Sequence, residues 1–175
     1  MNGTAQWTID PGHSEVQFKI RHLAITNVTG KFKLFQGNVV SPNEDFHDAI
    51  VSAAIDTASI DTNNQPRDTH LRSADFLAVE QFPAMNFEGS LQKDGDGYVL
   101  AGELTIRDVR RPVRLTAEFA GTATGRFGDT RAGFEARGRI NRKDFGLGWN
   151  ILAEGGGLAL GDEINLQFDI QLIRQ

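Results

Sequence analysis

The side chains that could do chemistry in this sequence are few and widely spaced. Four histidines occur, His13, His22, His47 and His70. No two have the i, i+4 spacing that sets two imidazoles on one metal, and neither HExxH nor HxH is present. Cysteine is absent, which removes thiolate nucleophiles, zinc–thiolate sites and disulfides together. A hydrolase serine would need a GxSxG elbow between strand and helix, and none exists. GxGxxG is absent too, and Gly155-Gly156-Gly157 reads as a flexible turn because no helix or lysine follows it to hold a phosphate. Asp68 and Asp75 suit helix caps and solvated faces better than an acid–base pair. The expectation is a protein with no catalytic residue, no metal and no cofactor.

One segment concentrates charge and hydrogen-bonding capacity: Arg67-Asp68-Thr69-His70-Leu71-Arg72, with Asp75 and Phe76 after it. It fits a capped, ion-paired helix that closes one end of the fold. Composition favours that reading over a polar rim for a ligand's head group, with Arg67 or Arg72 matched to a phosphate or carboxylate.

The elements that would position these groups are strands. In Glu15–His22, Val16, Phe18 and Ile20 face one way while Glu15, Gln17, Lys19 and Arg21 face the other. Such a strand lies between a core and water. The same period runs through Lys31–Leu34, Met85–Gln92, Leu100–Ile106, Val113–Phe119, Ala132–Ile140 and Ile164–Leu172. Ala49–Asp56 is strand-like but apolar on both sides. Asp94-Gly95-Asp96-Gly97 is a hairpin signal, because Gly and Asp tolerate positive φ. Gly121–Thr130 and Glu154–Asp162 read as longer Gly-rich connections. Only about Gln65 to Glu80 is helical in pattern, with Pro66 near its start and Pro83 just beyond, which predicts one or two short helices.

The expectation is one all-β domain over residues 1–175, with about eight antiparallel strands closed into a barrel. A barrel of this size is filled by side chains or holds one small ligand. Gly89, Gly102, Gly138, Ala117, Ala132 and Ala136 fall on the apolar rows. There they either open a hollow or make room for neighbouring Phe rings. Twelve Phe against one Tyr and two Trp give the interior large apolar area without polar handles.

Composition narrows the partners. Of the residues, 39% are hydrophobic and 23% charged, with a formal net charge of −5. The densest basic run, Arg107 to Arg114, is broken by Asp108 and Pro112 and reads as a solvated hairpin, so no nucleic-acid partner is expected. No stretch has the length of a transmembrane helix. An outer-membrane barrel would crowd its many charges into a narrow lumen. Without a basic n-region or an apolar h-region at the start, the expected compartment is the cytoplasm, or the periplasm if a leader has been removed.

The sequence resembles the YceI-like family of lipid-binding, lipocalin-like barrels, in blocks that run nearly end to end. They are Trp7-Thr8-Ile9-Asp10-Pro11-Gly12-His13-Ser14, Phe18-Lys19-Ile20-Arg21-His22, Gly30-Lys31-Phe32, Ala58-Ser59-Ile60-Asp61-Thr62, Arg67 through Phe76, Phe82-Pro83, Gly102 through Ile106, Pro112-Val113 and Asn141 through Gly146. Asp108 and Arg110 depart from the small Gly and Thr expected at their turn.

This resemblance implies an extended eight-stranded antiparallel barrel, often in a homodimer, whose apolar tunnel holds a polyisoprenoid or similar lipid for transport, storage or sequestration. Fatty acids or fatty amides are the alternative cargo, and an enzyme acting on the bound lipid through His22, His70 or Asp68 is a further one. On the apolar rows, the tunnel would be lined by Phe18, Ile20, His22, Phe32 and Leu34 early in the chain. Phe76, Met85, Phe87, Leu100 and Leu104 would follow, and then Phe119, Phe134, Phe145, Leu166 and Phe168. Arg67, Asp68, His70 and Arg72 would form its polar mouth.

Overall fold

The computed structural model describes residues 3–151 and 159–175. The Gly155-Gly156-Gly157 turn lies outside the described residues. Among the described residues eleven strands form: β1 (Ala5–Ile9), β2 (Glu15–His22), β3 (Thr26–Phe32), β4 (Phe35–Ser41), β5 (Ala49–Asp56), β6 (Ile60–Asp61), β7 (Ala84–Asp94), β8 (Gly97–Ile106), β9 (Val109–Thr124), β10 (Thr130–Asn141) and β11 (Leu160–Arg174). Helix α1 (Gln65–Arg72) stands between β6 and β7. The order β1-β4-β5-β7-β8-β9-β10-β11 returns to β1 and so closes an antiparallel barrel of eight strands.

The remaining three strands extend that barrel at one end. β2 lies along the first half of β11, β3 along β2, and β6 along β3. Each prolongs a barrel strand across a short irregularity: β1 into β2, β3 into β4, and β5 into β6. Every break shifts the inward row by one residue. Trp7 gives way to Val16 and Phe18, Gly30 and Phe32 to Gly37 and Val39, and Val51 and Ile55 to Ile60. A one-residue slip turns every side chain to the other face, so the breaks keep apolar residues inside along the whole length.

The first break is stapled by side chains. Pro11 fixes φ there, and Asp10 Oδ1 accepts from Gly12 N–H at 3.0 Å. Its other oxygen meets His13 Nδ1 and Arg131 Nη1, each at 2.7 Å. The His13 bond foremost, and the Arg131 bond against some burial, hold the Asp10 carboxyl below the usual carboxylate range. A carboxylate whose pKa is depressed on folding stabilises the fold above its unfolded pKa of about 3.9 and loses that effect as pH falls through the folded value. Asp10→Asn is therefore expected to cost about 1–2 kcal/mol in urea melts at neutral pH. The gap to the parent should narrow in melts as the pH is taken down below the unfolded pKa of about 3.9.

The interior has two apolar clusters. At the β1 end, Trp7, Val39, Leu91, Tyr98, Leu115, Ala117, Ala132 and Leu172 surround Phe46. Phe46 comes from the β4–β5 connection, is 1% exposed, and touches the rings of Trp7, Phe119 and Phe134 at centroid distances of 5.1, 5.5 and 5.0 Å. The connection is anchored by the Tyr98 hydroxyl donating to the Asp45 carbonyl and by Lys93 N–H donating to His47 Nδ1 at 3.1 Å. This end is plugged. The second cluster, with Ile60, Leu77, Met85, Ile106, Ile140, Phe145 and Leu147, lies at the extended end.

The glycines on the inward rows do not open a hollow. A Cβ on Gly89 would fall 2.7 Å from the Phe87 ring, and one on Gly138 would fall 2.2 Å from Leu115 Cδ2. Ala117, Ala132 and Ala136 are buried in the plugged cluster. The small residues make room for neighbouring side chains.

Candidate ligand-binding site

β6 pairs with β3 alone among the described strands, and the chain from α1 to β7 sits where the sheet parts between β6 and β7. α1 begins because Asn64 caps it, accepting from Arg67 N–H at 3.0 Å, with Pro66 in the first turn. Thr62 is the anchor below. Its N–H and hydroxyl both donate to Asp68 Oδ1, while Arg67 donates from Nε to the Thr62 hydroxyl and from Nη2 to the Thr62 carbonyl, both at 2.7 Å. Arg72 donates to the carbonyls of Ala58 and Ile60 at 2.9 and 3.0 Å. The charged segment thus fastens the helix to the sheet. Asp68 is 6% exposed, so Asp68→Ala strands two donors in the interior. The expected cost is about 3 kcal/mol, read as a Tm lower by about 6–12 °C.

Beneath α1 lies a cavity of about 360 Å³. β2 contributes Val16, Phe18, Ile20 and His22, β3 contributes Val28 and Phe32, and β11 contributes Ile164, Leu166 and Phe168. Met85, Leu104, Ile106 and Ile140 complete the barrel side. Leu71, Phe76 and Leu77 descend from the α1 region, and Leu147, Trp149 and Ile151 come from the segment after β10. Polar groups at the wall are few: Gln17, Thr62, Arg67, His70 and Arg142 besides His22. His70 binds Asp75 at 2.8 Å through Nε2 and sets its ring edgewise against Phe76 and Trp149, at 5.2 and 4.4 Å.

Arg142 stands in the Asn141-to-Gly146 block of the family resemblance, which gives it no role. Its residue is 1% exposed, and it donates to the carbonyls of Gly161, Leu147 and Trp149 at 2.9, 2.6 and 2.7 Å. It therefore clamps the segment that carries Leu147 and Trp149 over the cavity. Burial draws its pKa down, and Asp162, 3.6 Å from Nη2, offsets this in part.

Of the residues expected along the tunnel, Phe18, Ile20, His22, Phe32, Phe76, Met85, Leu104, Leu166 and Phe168 border this cavity. The others lie elsewhere. Leu34 is 60% exposed, because it stands in the β3–β4 break where the alternation resets. Leu100, Phe119 and Phe134 pack in the plugged end around Phe46. Phe87 lies over Gly89, and Phe145 is buried within the second cluster without bordering the cavity. At the expected polar mouth, Arg67 and His70 reach the wall, whereas Asp68 and Arg72 spend their bonds on Thr62, Ala58 and Ile60.

His13 and His47 do not border the cavity: His13 bonds Asp10, and His47 accepts from Lys93 N–H. Among the described residues no three His, Asp or Glu side chains group as a metal site would require, and no helix is long and apolar enough to cross a membrane.

The YceI-like domain pattern matches residues 7–172. This chain belongs to the YceI-like family. The YceI-like relatives include the UPF0312 protein of Serratia proteamaculans, 43% identical over 77% of this chain and 71% of that one. Protein YceI of Escherichia coli is 41% identical over the same shares. Among solved structures, the Campylobacter jejuni YCEI protein superposes with a TM-score of 0.73 at 31% identity, covering 90% of this chain and 91% of that one. Two more distant structures share the YceI-like fold. BcnA of Burkholderia cenocepacia has a TM-score of 0.80 at 19% identity, over 93% and 98% of the chains. A polyisoprenoid binding domain from Saccharophagus degradans has a TM-score of 0.69 at 13% identity, over 97% and 98%.

Proposed function

We propose that this YceI-like barrel binds a long apolar lipid, an isoprenoid or acyl chain, and carries or stores it with the chain inserted in the cavity beneath α1. The observation that carries this reading is the cavity wall itself. Apolar side chains from β2, β3, β11 and the α1 region converge on one space, with polar groups kept to a few positions. Pockets for small molecules commonly run from about 300 to 1,000 Å³ and combine an apolar lining with few polar groups. The likeness to a domain named for polyisoprenoid binding agrees with this choice of cargo.

Each CH₂ buried would contribute up to about 0.8 kcal/mol, offset by the cost of ordering chain and protein. Phe46 and its neighbours stop the interior from below, so the cavity receives one end of a long chain rather than threading it through the barrel. Arg67 and His70 are the side chains offered to a polar head. Binding is favoured over catalysis because the described wall is mostly apolar and Asp68 spends its carboxylate on Thr62. Organic extraction of protein purified from cells, followed by mass spectrometry, is expected to yield a prenyl or acyl lipid near one equivalent. Lipid-free preparations that also fail to take up prenyl and acyl probes would overturn the proposal.

A further inference from the structure

The β2–β3 turn beside the cavity mouth is made of residues unusual for a hairpin turn. Leu23 and Ala24 have φ of 52° and 60°, a region that favours glycine or asparagine. Ile25 follows them at 73% exposure, with Leu23 at 41%. Leu23 N–H donates to the Ala159 carbonyl at 2.8 Å, and Ala159 N–H donates to the Ile151 carbonyl at 3.0 Å. Ile151 both lines the cavity and is 54% exposed. An apolar tip is thus tied through backbone bonds to the cavity rim.

Behind the tip, the outer face of β9, β10, β11 and β2 carries a groove. Lys19, Arg114, Arg137 and Arg139 line it together with amides and a threonine, and no carboxylate does. Glu135 and Glu163 are loose partners of Arg137 and Arg139, at 3.9 and 3.6 Å. This local positive face belongs to a chain of net charge −5. Lys19 on β2 is four residues before Leu23 at the start of the turn, or about 13 Å at most. An apolar tip entering a bilayer by about 5–10 Å would bring that groove down to the headgroups, within reach of their negative potential.

We infer that the β2–β3 tip and the Lys19–Arg139 groove together dock the barrel, mouth first, on a bilayer bearing anionic lipid. The inference rests on the lipid-binding reading of the cavity, since it supplies the route by which a membrane-dissolved chain reaches the mouth. Neither Ile25, Arg137 nor Arg139 borders the cavity.

The test is sedimentation with sucrose-loaded vesicles of phosphatidylcholine containing phosphatidylglycerol, alongside vesicles of phosphatidylcholine alone. The unsubstituted protein should bind the mixed vesicles more tightly and release as salt rises. Ile25→Asp should weaken binding at least about tenfold, the factor expected for an Ile side chain lost from apolar surroundings. Arg137→Gln with Arg139→Gln should weaken it about 25-fold, near fivefold for each charge, and flatten the salt dependence.

All variants should still take up a monomeric prenol probe added without vesicles. Vesicle binding equal in parent and variants, or no binding by the parent, overturns the docking surface. Vesicle binding as expected with no probe uptake by the parent would instead uphold the surface and remove the lipid-binding reading.

Discussion

Arg142→Met is expected to destabilise the protein by about 3–5 kcal/mol, the range for removing one partner from a buried charged network. The guanidinium serves three carbonyls from two chain segments, those of Leu147 and Trp149 on one side and Gly161 on the other. Methionine fills much of the volume but leaves those acceptors buried without donors, and it leaves Asp162 with Lys143 as its remaining cation, 3.3 Å away. Arg142→Lys should recover little, because one ammonium cannot reproduce the planar fork that spans all three oxygens. In thermal melts the methionine variant should fall by about 6–20 °C. Its ligand affinity should fall further than stability alone explains, because Leu147 and Trp149 belong to the cavity wall. A variant that melts within about 2 °C of the parent would show that the clamp contributes little.

Phe46→Ala carries a comparable expected loss, about 3–5 kcal/mol. The ring is 1% exposed and contacts three other aromatic rings, so its removal leaves a void among Trp7, Phe119 and Phe134 that the closed sheet cannot collapse to fill. Phe46 also has φ of 62°. The connection therefore accepts a disfavoured backbone geometry to point the ring inward. Phe46→Leu keeps most of the apolar volume and should lose markedly less. Phe127→Ala, at 88% exposure in the β9–β10 connection, should change stability by no more than about 0.5 kcal/mol. Urea melts of the three variants order these costs. Equal effects of Phe46→Ala and Phe127→Ala would contradict the plug.

Two strands are legible in the sequence to the residue: the alternating Glu15–His22 is β2, and Ala49–Asp56, apolar on both sides, is β5. What alternation does not reveal is a reset of its own phase. The Lys33-Leu34 break moves the inward row from even to odd positions, which is why Leu34 reads as interior and stands in solvent. Nor does alternation tell a hollow from a packed barrel, since Gly89 looks the same beneath an empty lumen or a Phe87 ring.

Phe46 went unread because it sits within Pro42-Asn43-Glu44-Asp45 and His47-Asp48, where every neighbour signals a surface loop. One large aromatic among such residues was the available clue. Arg142 was harder still. Arginine is seldom fully buried, and its partners are backbone carbonyls that no sequence pattern marks. The Arg67–Arg72 segment is dense in chemistry by sequence, and its composition fits both a fastened helix and a polar rim. Its bonds to Thr62, Ala58 and Ile60 make it chiefly a fastening of the helix, with Arg67 and His70 alone at the cavity wall.

The central claim, a lipid chain held in the cavity beneath α1, is tested most directly by native mass spectrometry of the purified protein beside a Leu104→Trp variant. Leu104 borders the cavity from β8, so a Trp there takes up the space the chain would need. The account predicts a lipid adduct of one mass class on the unsubstituted protein and its loss from a Leu104→Trp protein that remains folded by circular dichroism. An adduct equally abundant on both would place the lipid elsewhere and contradict the account.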